Sequence, residues 1–291
     1  MKRNNLLIYV FAFVVISILV LSKIFSGDWL LPQSFHFFGL EIHYYGLILA
    51  SAIVSSYFLL QKRARQYEIS KTEVENITLV ILIGGFIGAR LYHVLSSLEY
   101  YSQDWSQVIM VWNGGLSIIG AVLGGILSMY IYHRYYRFGS FAKLLDWIAP
   151  SVVLGQAIGR FGNLVNYEAY GSPTNLPWAM YVPEVFRRVD YTVFNFFHPL
   201  FLYESLACLL IVAILLKWPD IAKHFQIRRF EGQIFWVWIG LYSLVRIFTE
   251  SLRLDSPYIF GFKQNLIVAI IAAVLSLMLL IYHHNNEPKT T

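Results

Sequence analysis

Charged residues and cysteine are scarce in this sequence, and each scarcity excludes a class of protein. Charged residues make up 13% of the 291 residues, whereas hydrophobic residues make up 57% and aromatic residues 17%. A water-soluble globule of this length needs more polar surface than this composition provides, so the chain is predicted to be a membrane protein. Because Cys208 is the only cysteine, no intrachain disulfide can form, and we expect it to be a small buried packing residue.

Motifs for metal and nucleotide binding are also missing. No spacing of Cys, His, Asp and Glu resembles a zinc or di-metal site, and no glycine-rich phosphate loop precedes a predicted helix. We therefore predict no metal and no cofactor. The net charge of +5 follows a membrane pattern, described below, so no nucleic-acid partner is predicted.

Apolar segments recur along almost the whole chain, each close to the ~20 residues that cross a bilayer. We predict eight of them, at residues 6–25, 44–60, 77–98, 111–132, 144–165, 199–216, 232–250 and 264–282. The predicted fold is all-α, a polytopic transmembrane helical bundle of about eight spans. The first segment follows basic residues but is longer than a signal-peptide core and has no small-residue cleavage site, so we expect a retained anchor.

The connections between these segments predict the orientation, because cytoplasmic loops collect lysine and arginine. Most of the 22 basic residues fall on one side, namely Lys2, Arg3, Lys62, Arg63, Arg65, Lys71, Arg134, Arg137, Lys143, Lys217, Lys223, Arg228, Arg229 and Lys289. Both termini are therefore predicted to be cytoplasmic. The longest polar interval lies on the opposite side and is too long for a simple turn, so we expect a small extracytoplasmic cap at about 166–198. We divide the chain into an N-terminal anchor and linker, 1–40, and a membrane domain, 41–291.

Pairs of glycines four residues apart indicate where helices approach closely. They are Gly84 with Gly88, Gly120 with Gly124, and Gly155 with Gly159. The pattern predicts tight packing around the third, fourth and fifth segments.

The end of the fifth segment carries an unusual set of polar residues. Read as a helix, Arg160, Asn163 and Tyr167 are spaced i, i+3 and i+7 and lie on one face. A lone arginine at membrane depth costs about 2.5 to 3.5 kcal/mol and usually faces a cavity or a partner. Two interpretations are open at this point: Arg160 belongs to a site, or it is an interfacial anchor that extends to the membrane surface.

Other unusual residues lie at the same predicted face of the membrane. They are His43 and Tyr45, Arg90, the run Gly114-Gly115-Leu116-Ser117, the stretch from Arg160 to Gly171, His198, and the stretch from Arg246 to Arg253. Independent structural anchors would scatter over both faces, so this one-sidedness predicts a single cavity.

The seventh segment ends with Arg246, Glu250 and Arg253, which the spacing i, i+4, i+7 places on one helical face. One interpretation is a self-neutralising interfacial ladder. The other is that the arginines Arg90, Arg160, Arg246 and Arg253 outnumber the acidic partners Glu168, Glu204 and Glu250, and that the surplus binds an anion. A phospholipid head group is the anion that is abundant at that depth.

These motifs resemble those of the bacterial phosphatidylglycerol–prolipoprotein diacylglyceryl transferase family. The closest match is Gly159-Arg160-Phe161-Gly162-Asn163-Leu164-Val165-Asn166 with Glu168 and Gly171. Further matching segments, in the same order along the chain, are His43-Tyr44-Tyr45-Gly46, Gly88-Ala89-Arg90-Leu91, Trp112-Asn113-Gly114-Gly115-Leu116-Ser117, His198-Pro199 with Tyr203-Glu204, and Arg246 with Glu250 and Arg253. The resemblance covers about residues 41–282, and the first segment looks like an addition to the family's usual seven.

The resemblance implies a reaction in which the diacylglyceryl group of phosphatidylglycerol moves to the lipobox cysteine thiol of a preprolipoprotein. It implies an enzyme of the bacterial inner membrane with its site toward the outer leaflet. By this resemblance Arg160 and Arg246 clamp the lipid phosphate, while Tyr45, Asn163 and Gly171 shape the lipid site. The proton acceptor is left open among His198, Glu250, Tyr45 and the lipid phosphate itself. The remaining candidates for substrate binding are Asn166, Glu168, Arg90, Gly114, Gly115, Ser117, Glu250, Arg253 and His43.

Three residues depart from the family pattern. Ile119 replaces a histidine that many members carry, and Leu200 and Phe201 replace a polar pair after His198-Pro199. We expect the lining of the sixth segment to be more apolar for this reason. Two alternatives therefore stay open, a protein that binds or translocates phospholipid without chemistry and a transferase with a different acceptor.

Overall fold

The computed structural model describes residues 2–136 and 139–286, so Arg137 and Lys289 of the predicted cytoplasmic set lie outside it. Within these ranges the chain forms eight long helices and a short one, α4 (Leu98–Tyr101). The long helices are α1 (Lys2–Phe25), α2 (Tyr44–Ala64), α3 (Lys71–Ser96), α5 (Ile118–Tyr136), α6 (Phe141–Asn166), α7 (Leu200–His224), α8 (Gln233–Leu252) and α9 (Gln264–Asn286).

Each long helix coincides with one predicted apolar segment, and the prediction of a helical membrane protein is confirmed. Five of the helices in the described part of the chain, α2, α3, α6, α7 and α9, are long and apolar enough to cross a membrane. The count of eight spans stays a prediction. One boundary was wrong: residues 111–117 do not belong to the fourth long helix, because Gly114 and Gly115 adopt φ values of 87° and 78° that end the turn Val111–Asn113.

Three short antiparallel strand pairs accompany the helices. They are β1 (Ser34–Phe37) with β2 (Leu40–His43), β3 (Met180–Tyr181) with β4 (Phe196–Phe197), and β5 (Tyr258–Ile259) with β6 (Phe262–Lys263). The first pair leads directly into α2 and the third into α9. The pair β3–β4 lies in the cap segment, residues 166–198, which is otherwise built from turns and short 3-10 helices.

The chain divides into two compact units, and each is described by itself. The second unit runs from Tyr57 to Ala149. Its helices α3 and α5 meet through glycines: a Cβ on Gly88 would lie 2.4 Å from the carbonyl oxygen of Gly120, and one on Gly124 would lie 2.2 Å from that of Gly84. The predicted glycine contact is confirmed for these two helices, since any side chain there would force them apart.

The first unit consists of the described residues up to Ser56 and from Pro150 onward. Its hydrophobic core joins the end of α1, the cap segment and the start of α7 through Ile24, Phe25, Tyr167, Met180 and Phe197, among others. In α6, Gly155 faces Ser56 of α2, whereas a Cβ on Gly159 would meet nothing within 4 Å. The predicted packing role of the pair is therefore correct for Gly155 and wrong for Gly159. Cys208 is buried in α7, as expected.

Candidate active site

Two arginines from different helices share one buried carboxylate within the first unit. Glu204, in the first turns of α7, is almost fully buried. Its Oε2 lies 2.6 Å from Arg160 Nη2 of α6 as an ion pair, and its Oε1 accepts a hydrogen bond from Arg246 Nη1 of α8 at 2.8 Å. Burial strengthens these interactions, because water does not screen the charges there. The carboxylate therefore holds the two guanidinium groups side by side.

Glu250 extends this arrangement by one helical turn. Its carboxylate is fully buried, and its Oε2 accepts a hydrogen bond from Arg246 Nη2, as the i, i+4 spacing predicted. Its Oε1 accepts from the hydroxyl of Ser256 and from Asn265 Nδ2, the latter at 3.1 Å. The buried Glu250 carboxylate therefore has three hydrogen-bond donors around it.

The end of α6 places Asn163 beside Arg160, as the sequence predicted. Arg160 Nη1 lies 3.5 Å from Asn163 Oδ1, and Asn163 Nδ2 donates to Glu168 Oε1 at 3.0 Å. Asn166 Nδ2 reaches the same Glu168 oxygen at 3.4 Å. Hydrogen bonds thus connect the half-buried Arg160 through Asn163 to the exposed Glu168, which Asn166 also contacts.

The prediction that Tyr167 shares the face of Arg160 was wrong. The helix ends at Asn166, and Tyr167 adopts a φ of 52°, which turns its side chain away from the helical register. Its ring is buried in the core of the first unit, and its hydroxyl accepts a hydrogen bond from the Leu31 amide at 2.6 Å. The phenol beside Arg160 is instead Tyr242 of α8, whose hydroxyl accepts from Arg160 Nη2 at 3.0 Å.

The predicted ladder of Arg246, Glu250 and Arg253 is also only half correct. Helix α8 ends at Leu252, and Arg253 has extended backbone, so its side chain leaves the helical face. It pairs with Asp255 through two hydrogen bonds, Nε to Oδ1 at 2.6 Å and Nη2 to Oδ2 at 3.3 Å. Burial acts to raise the pKa of Asp255, but the hydrogen bonds and charge of Arg253 outweigh it and leave that pKa below its usual range.

This pair removes the argument from surplus positive charge. In the first unit, the arginines at 160, 246 and 253 are balanced by three carboxylates, Glu204, Glu250 and Asp255. An anion is therefore not needed to neutralise the cluster. The cluster can still bind an anion, because its guanidinium groups are held in place and present further N–H donors in a fixed direction.

Gly171 and His198 are joined by the backbone of the cap segment. The Gly171 amide donates to the His198 carbonyl at 2.9 Å, and a Cβ on Gly171 would lie 2.8 Å from the His198 Cβ. His198 Nδ1 lies 3.1 Å from the hydroxyl of Tyr203, which also accepts from Trp178 Nε1 at 2.8 Å. Burial lowers the pKa of His198, so the imidazole is neutral at neutral pH. A side chain at Gly171 would force His198 or Leu200 to shift.

Tyr45 and His43 lie at the start of α2. A Cβ on Gly162 would meet the Tyr45 ring at 2.5 Å, so the ring rests on the backbone of α6 between Arg160 and Asn163 in sequence. His43 is exposed at the end of β2, with Nε2 3.9 Å from Glu41 Oε1. The structure therefore brings Tyr45 to the helix that carries Arg160 and leaves His43 on the surface hairpin.

Arg90, Gly114, Gly115 and Ser117 form a network of their own within the second unit. The Arg90 guanidinium donates to the carbonyls of Gly114 at 2.6 Å and Gly115 at 2.8 Å, and to those of Gln107, Val108 and Met110. Ser117 donates its amide to the Ala89 carbonyl at 3.1 Å, and its hydroxyl accepts from the first turn of α5. The partners that the structure gives Arg90 are neutral carbonyls, which hold the loop in place. The single cavity predicted for both sets stays a prediction.

The departures from the family motif lie in different surroundings. Leu200 and Phe201 are buried, and Phe201 packs edge-on against Phe25 and Phe161 in the core. Leu200 instead lies beside Gly171, where a Cβ would meet its Cγ at 3.1 Å, so the expectation of a more apolar lining stays a prediction. Ile119 is about half exposed in α5.

A family model described as prolipoprotein diacylglyceryl transferase matches residues 32–282. The chain belongs to this family. Proteins named phosphatidylglycerol–prolipoprotein diacylglyceryl transferase from Thermotoga petrophila and Thermotoga maritima are each 40% identical to it over 277 residues, which is 94% of this chain and 89% of the relative. One of the same name from Acaryochloris marina is 40% identical over 244 residues, 82% of this chain and 86% of the relative.

The family match also bears on the first helix. The matched residues begin after α1, and the interpretation of α1 as an addition to the family stays a prediction. The alignments to the Thermotoga proteins nevertheless cover 94% of the chain, so they include at least the end of α1. The sequences of these relatives therefore align with at least the end of this helix.

Four residues of the arrangement were not found from the sequence. Tyr242 lies one turn before Arg246 on α8, and that i, i+4 spacing was a usable signal. Asp255 follows Arg253 by two residues, but its role depends on where α8 ends. Ser256 and Asn265 come to Glu250 through the β5–β6 hairpin, and no local pattern indicates this. Among the described residues, no group of three or more Cys, His, Asp and Glu is placed to hold a metal.

Proposed function

We propose that this chain transfers the diacylglyceryl group of phosphatidylglycerol to the lipobox cysteine thiol of preprolipoproteins. The relatives carry both substrates in their names, and the family match covers most of the chain. The structural observation that supports the proposal is the pair of guanidinium groups, Arg160 and Arg246, held on the buried Glu204. Such a pair is suited to a phosphate, whose oxygens can accept hydrogen bonds from the N–H groups of two guanidinium groups at once.

The proposed step is a displacement at the glyceryl carbon. The substrate sulfur forms a bond to that carbon, the carbon–oxygen bond to phosphate breaks, and glycerol 1-phosphate leaves with the electron pair. The thiol proton passes to a base. Two demands follow: the departing phosphate must be stabilised as charge builds on it, and the thiol, with a free pKa of about 8.5, must lose its proton.

The arginines meet the first demand in this proposal. Each already directs part of its guanidinium to a carboxylate, so the lipid phosphate binds the remaining N–H groups without reorganising the pair. Glu204 acts as a positioning residue, because it fixes both forks from one point. Asn163 and Tyr242 hold Arg160 from the other side.

His198 meets the second demand in this proposal. Glu250 is the weaker choice of base, because both of its oxygens already accept hydrogen bonds, from Arg246, Ser256 and Asn265. In this proposal the neutral His198 ring donates its Nδ1–H to the Tyr203 hydroxyl, and the lone pair on Nε2 accepts the thiol proton. Tyr45 rests on Gly162 in the stretch between Arg160 and Asn163, and we assign it to the lipid site.

We place the protein in the bacterial inner membrane, with both termini cytoplasmic and the arginine pair toward the outer leaflet. The distribution of basic residues supports this orientation, since most connections on one side are rich in Lys and Arg. The cap segment follows α6 on the side poor in basic residues.

The test uses the purified full chain with phosphatidylglycerol and a lipobox peptide. The proposal expects a diacylglyceryl thioether on the peptide and an equal amount of glycerol phosphate. Lipid binding without either product, alongside an active family member as control, would show a lipid-binding protein instead. Glycerol phosphate release with another acceptor but none with the peptide would show a different acceptor, the alternative that the substitution of Ile119 leaves in play.

A further inference from the structure

An apolar recess lies beside α7, on the face that carries Leu202 and not on the face that carries Glu204. It is a groove of about 670 Å³ between α1 and residues 174–179 of the cap segment. One wall is formed by Ile18, Leu21, Ser22 and Phe25, which are spaced i, i+3, i+4 and i+7 and so share one face of α1. The opposite wall includes Leu176 and Trp178. This volume lies in the range of sites that bind a small molecule or one hydrocarbon chain of a larger ligand.

We propose that this groove binds an acyl chain of a membrane phospholipid. The first argument is the character of the walls, which are mostly apolar and continuous with α1. The same helix exposes Ile16 and Leu19 outside the groove, where a membrane protein meets lipid. An acyl chain can therefore enter the groove directly from the bilayer.

The second argument is that three of the five polar side chains lining the groove, those of Ser26, Thr174 and Trp178, are engaged with the protein itself. The hydroxyl of Ser26 donates to the Lys23 carbonyl at 3.0 Å, and that of Thr174 accepts from the Leu176 amide at 3.3 Å. The indole N–H of Trp178 donates to Tyr203. A bound peptide backbone needs hydrogen-bond partners, and an acyl chain needs none. The groove thus suits the lipid chain better than a peptide.

The third argument is that the groove is a fixed feature of the first unit. Ile24 and Phe25 of α1 are buried with Met180 and Phe197 of the cap segment, and the Tyr181 ring lies against Gly27, where a Cβ would meet it at 2.8 Å. These contacts hold the helix and the cap segment apart at a set distance. Leu202 lines the groove, whereas Glu204, two residues later, turns to the arginines. The inference does not depend on the transfer reaction.

The test is photolabelling of the full chain in nanodiscs of phosphatidylcholine and phosphatidylglycerol. A small fraction of the phospholipid carries a diazirine on one acyl chain, and labelled peptides are identified by mass spectrometry. Residues 174–179 are the informative segment, because α1 meets bulk lipid whatever the groove contains. We expect strong labelling of 174–179, and we expect it to persist in Arg246→Lys even where that variant is inactive in transfer.

Two variants act on the groove in different ways. Ser22→Trp fills it and Leu176→Asp places a carboxylate in it, and each should lower the labelling of 174–179 about tenfold. Leu19→Trp, one turn away on the exposed side of α1, is the matched control and should leave the labelling unchanged. Thermal unfolding of each variant establishes that the first unit is intact.

Three results would overturn the inference. One is absence of label on 174–179 in the unchanged chain. Another is equal labelling in Ser22→Trp, Leu176→Asp and Leu19→Trp, since bulk lipid would then be the source. The third is labelling of 174–179 by a leucine-rich peptide that carries a diazirine, together with loss of the lipid label there. The occupant of the groove would then be a peptide.

Discussion

Glu204 Oε1 lies 2.8 Å from Arg246 Nη1, while its other oxygen faces Arg160. A single buried carboxylate therefore sets the position of both arginines. Burial of each of these charges has a desolvation cost, which its ion-pair partner offsets. If one partner is removed, the remaining charges stay buried without an opposite charge.

Glu204→Gln tests this dependence. The amide keeps the shape of the side chain but removes the charge, so we expect the free energy of unfolding to fall by about 3 kcal/mol or more. Transfer should fall with it, because the two forks lose their common anchor. The control is Glu75→Gln, which removes an exposed partner of Lys71 and should cost less than ~1 kcal/mol. Equal unfolding midpoints for the two variants would contradict the assigned role of Glu204.

Gly171→Ala tests the close contact with His198. A methyl group there would lie 2.8 Å from the His198 Cβ and 3.1 Å from Leu200 Cγ, so we expect destabilisation of about 1 to 3 kcal/mol and weaker transfer. Gly159→Ala is the matched control, because a Cβ at that helical position meets nothing within 4 Å. It should be neutral or stabilise α6 by up to ~1 kcal/mol. Thermal unfolding in detergent measures both, and a stable Gly171→Ala protein would show that the contact relaxes freely.

The pair of Arg253 and Asp255 predicts a dependence of stability on pH. The pKa of Asp255 lies below its ordinary value of 3.8 in the folded chain. Its contribution is therefore fully present above that value and is lost as pH falls through the folded pKa. We expect the difference in unfolding temperature between the unchanged chain and Asp255→Asn to be constant from pH 7 to about 5 and to shrink toward pH 3. A difference that does not change with pH would show that the carboxylate is not paired.

The assignment of His198 predicts the acid side of the activity profile. Because burial lowers its pKa below 6.5, transfer should stay constant as pH falls to that value and decline only below it. His198→Gln should reduce turnover about 100-fold and remove this decline. His224→Gln, an exposed histidine at the end of α7, is the control. An unchanged acid decline in His198→Gln would assign the proton to another group.

The sequence was sufficient to predict those features of the structure that depend on residues close together in the chain. Apolar length gave the eight long helices, glycine spacing gave the contact of α3 with α5, and the i, i+4 rule gave the pairing of Arg246 with Glu250. The motif around Arg160 gave the family, which the comparison confirmed.

The sequence was insufficient where a helix ends or a distant segment returns. Tyr167 leaves the face of Arg160 because its backbone turns left-handed, and Arg253 leaves that of Arg246 because α8 stops one residue earlier. The partners that Ser256 and Asn265 provide for Glu250 depend on the β5–β6 hairpin. Counting charges along the sequence missed Asp255, and so predicted an excess of positive charge that the cluster of Arg160, Arg246 and Arg253 does not have.

The most direct test of the account is turnover of Arg160→Lys and Arg246→Lys in the purified assay. Lysine keeps the charge, but its single ammonium group cannot contact the phosphate and Glu204 at the same time as a guanidinium group does. Each variant should therefore lose about 100-fold or more in turnover while remaining folded. Arg65→Lys, an exposed arginine after α2, should match the unchanged chain. Near-normal turnover in either Arg160→Lys or Arg246→Lys would contradict the proposal that the paired guanidinium groups stabilise the departing phosphate.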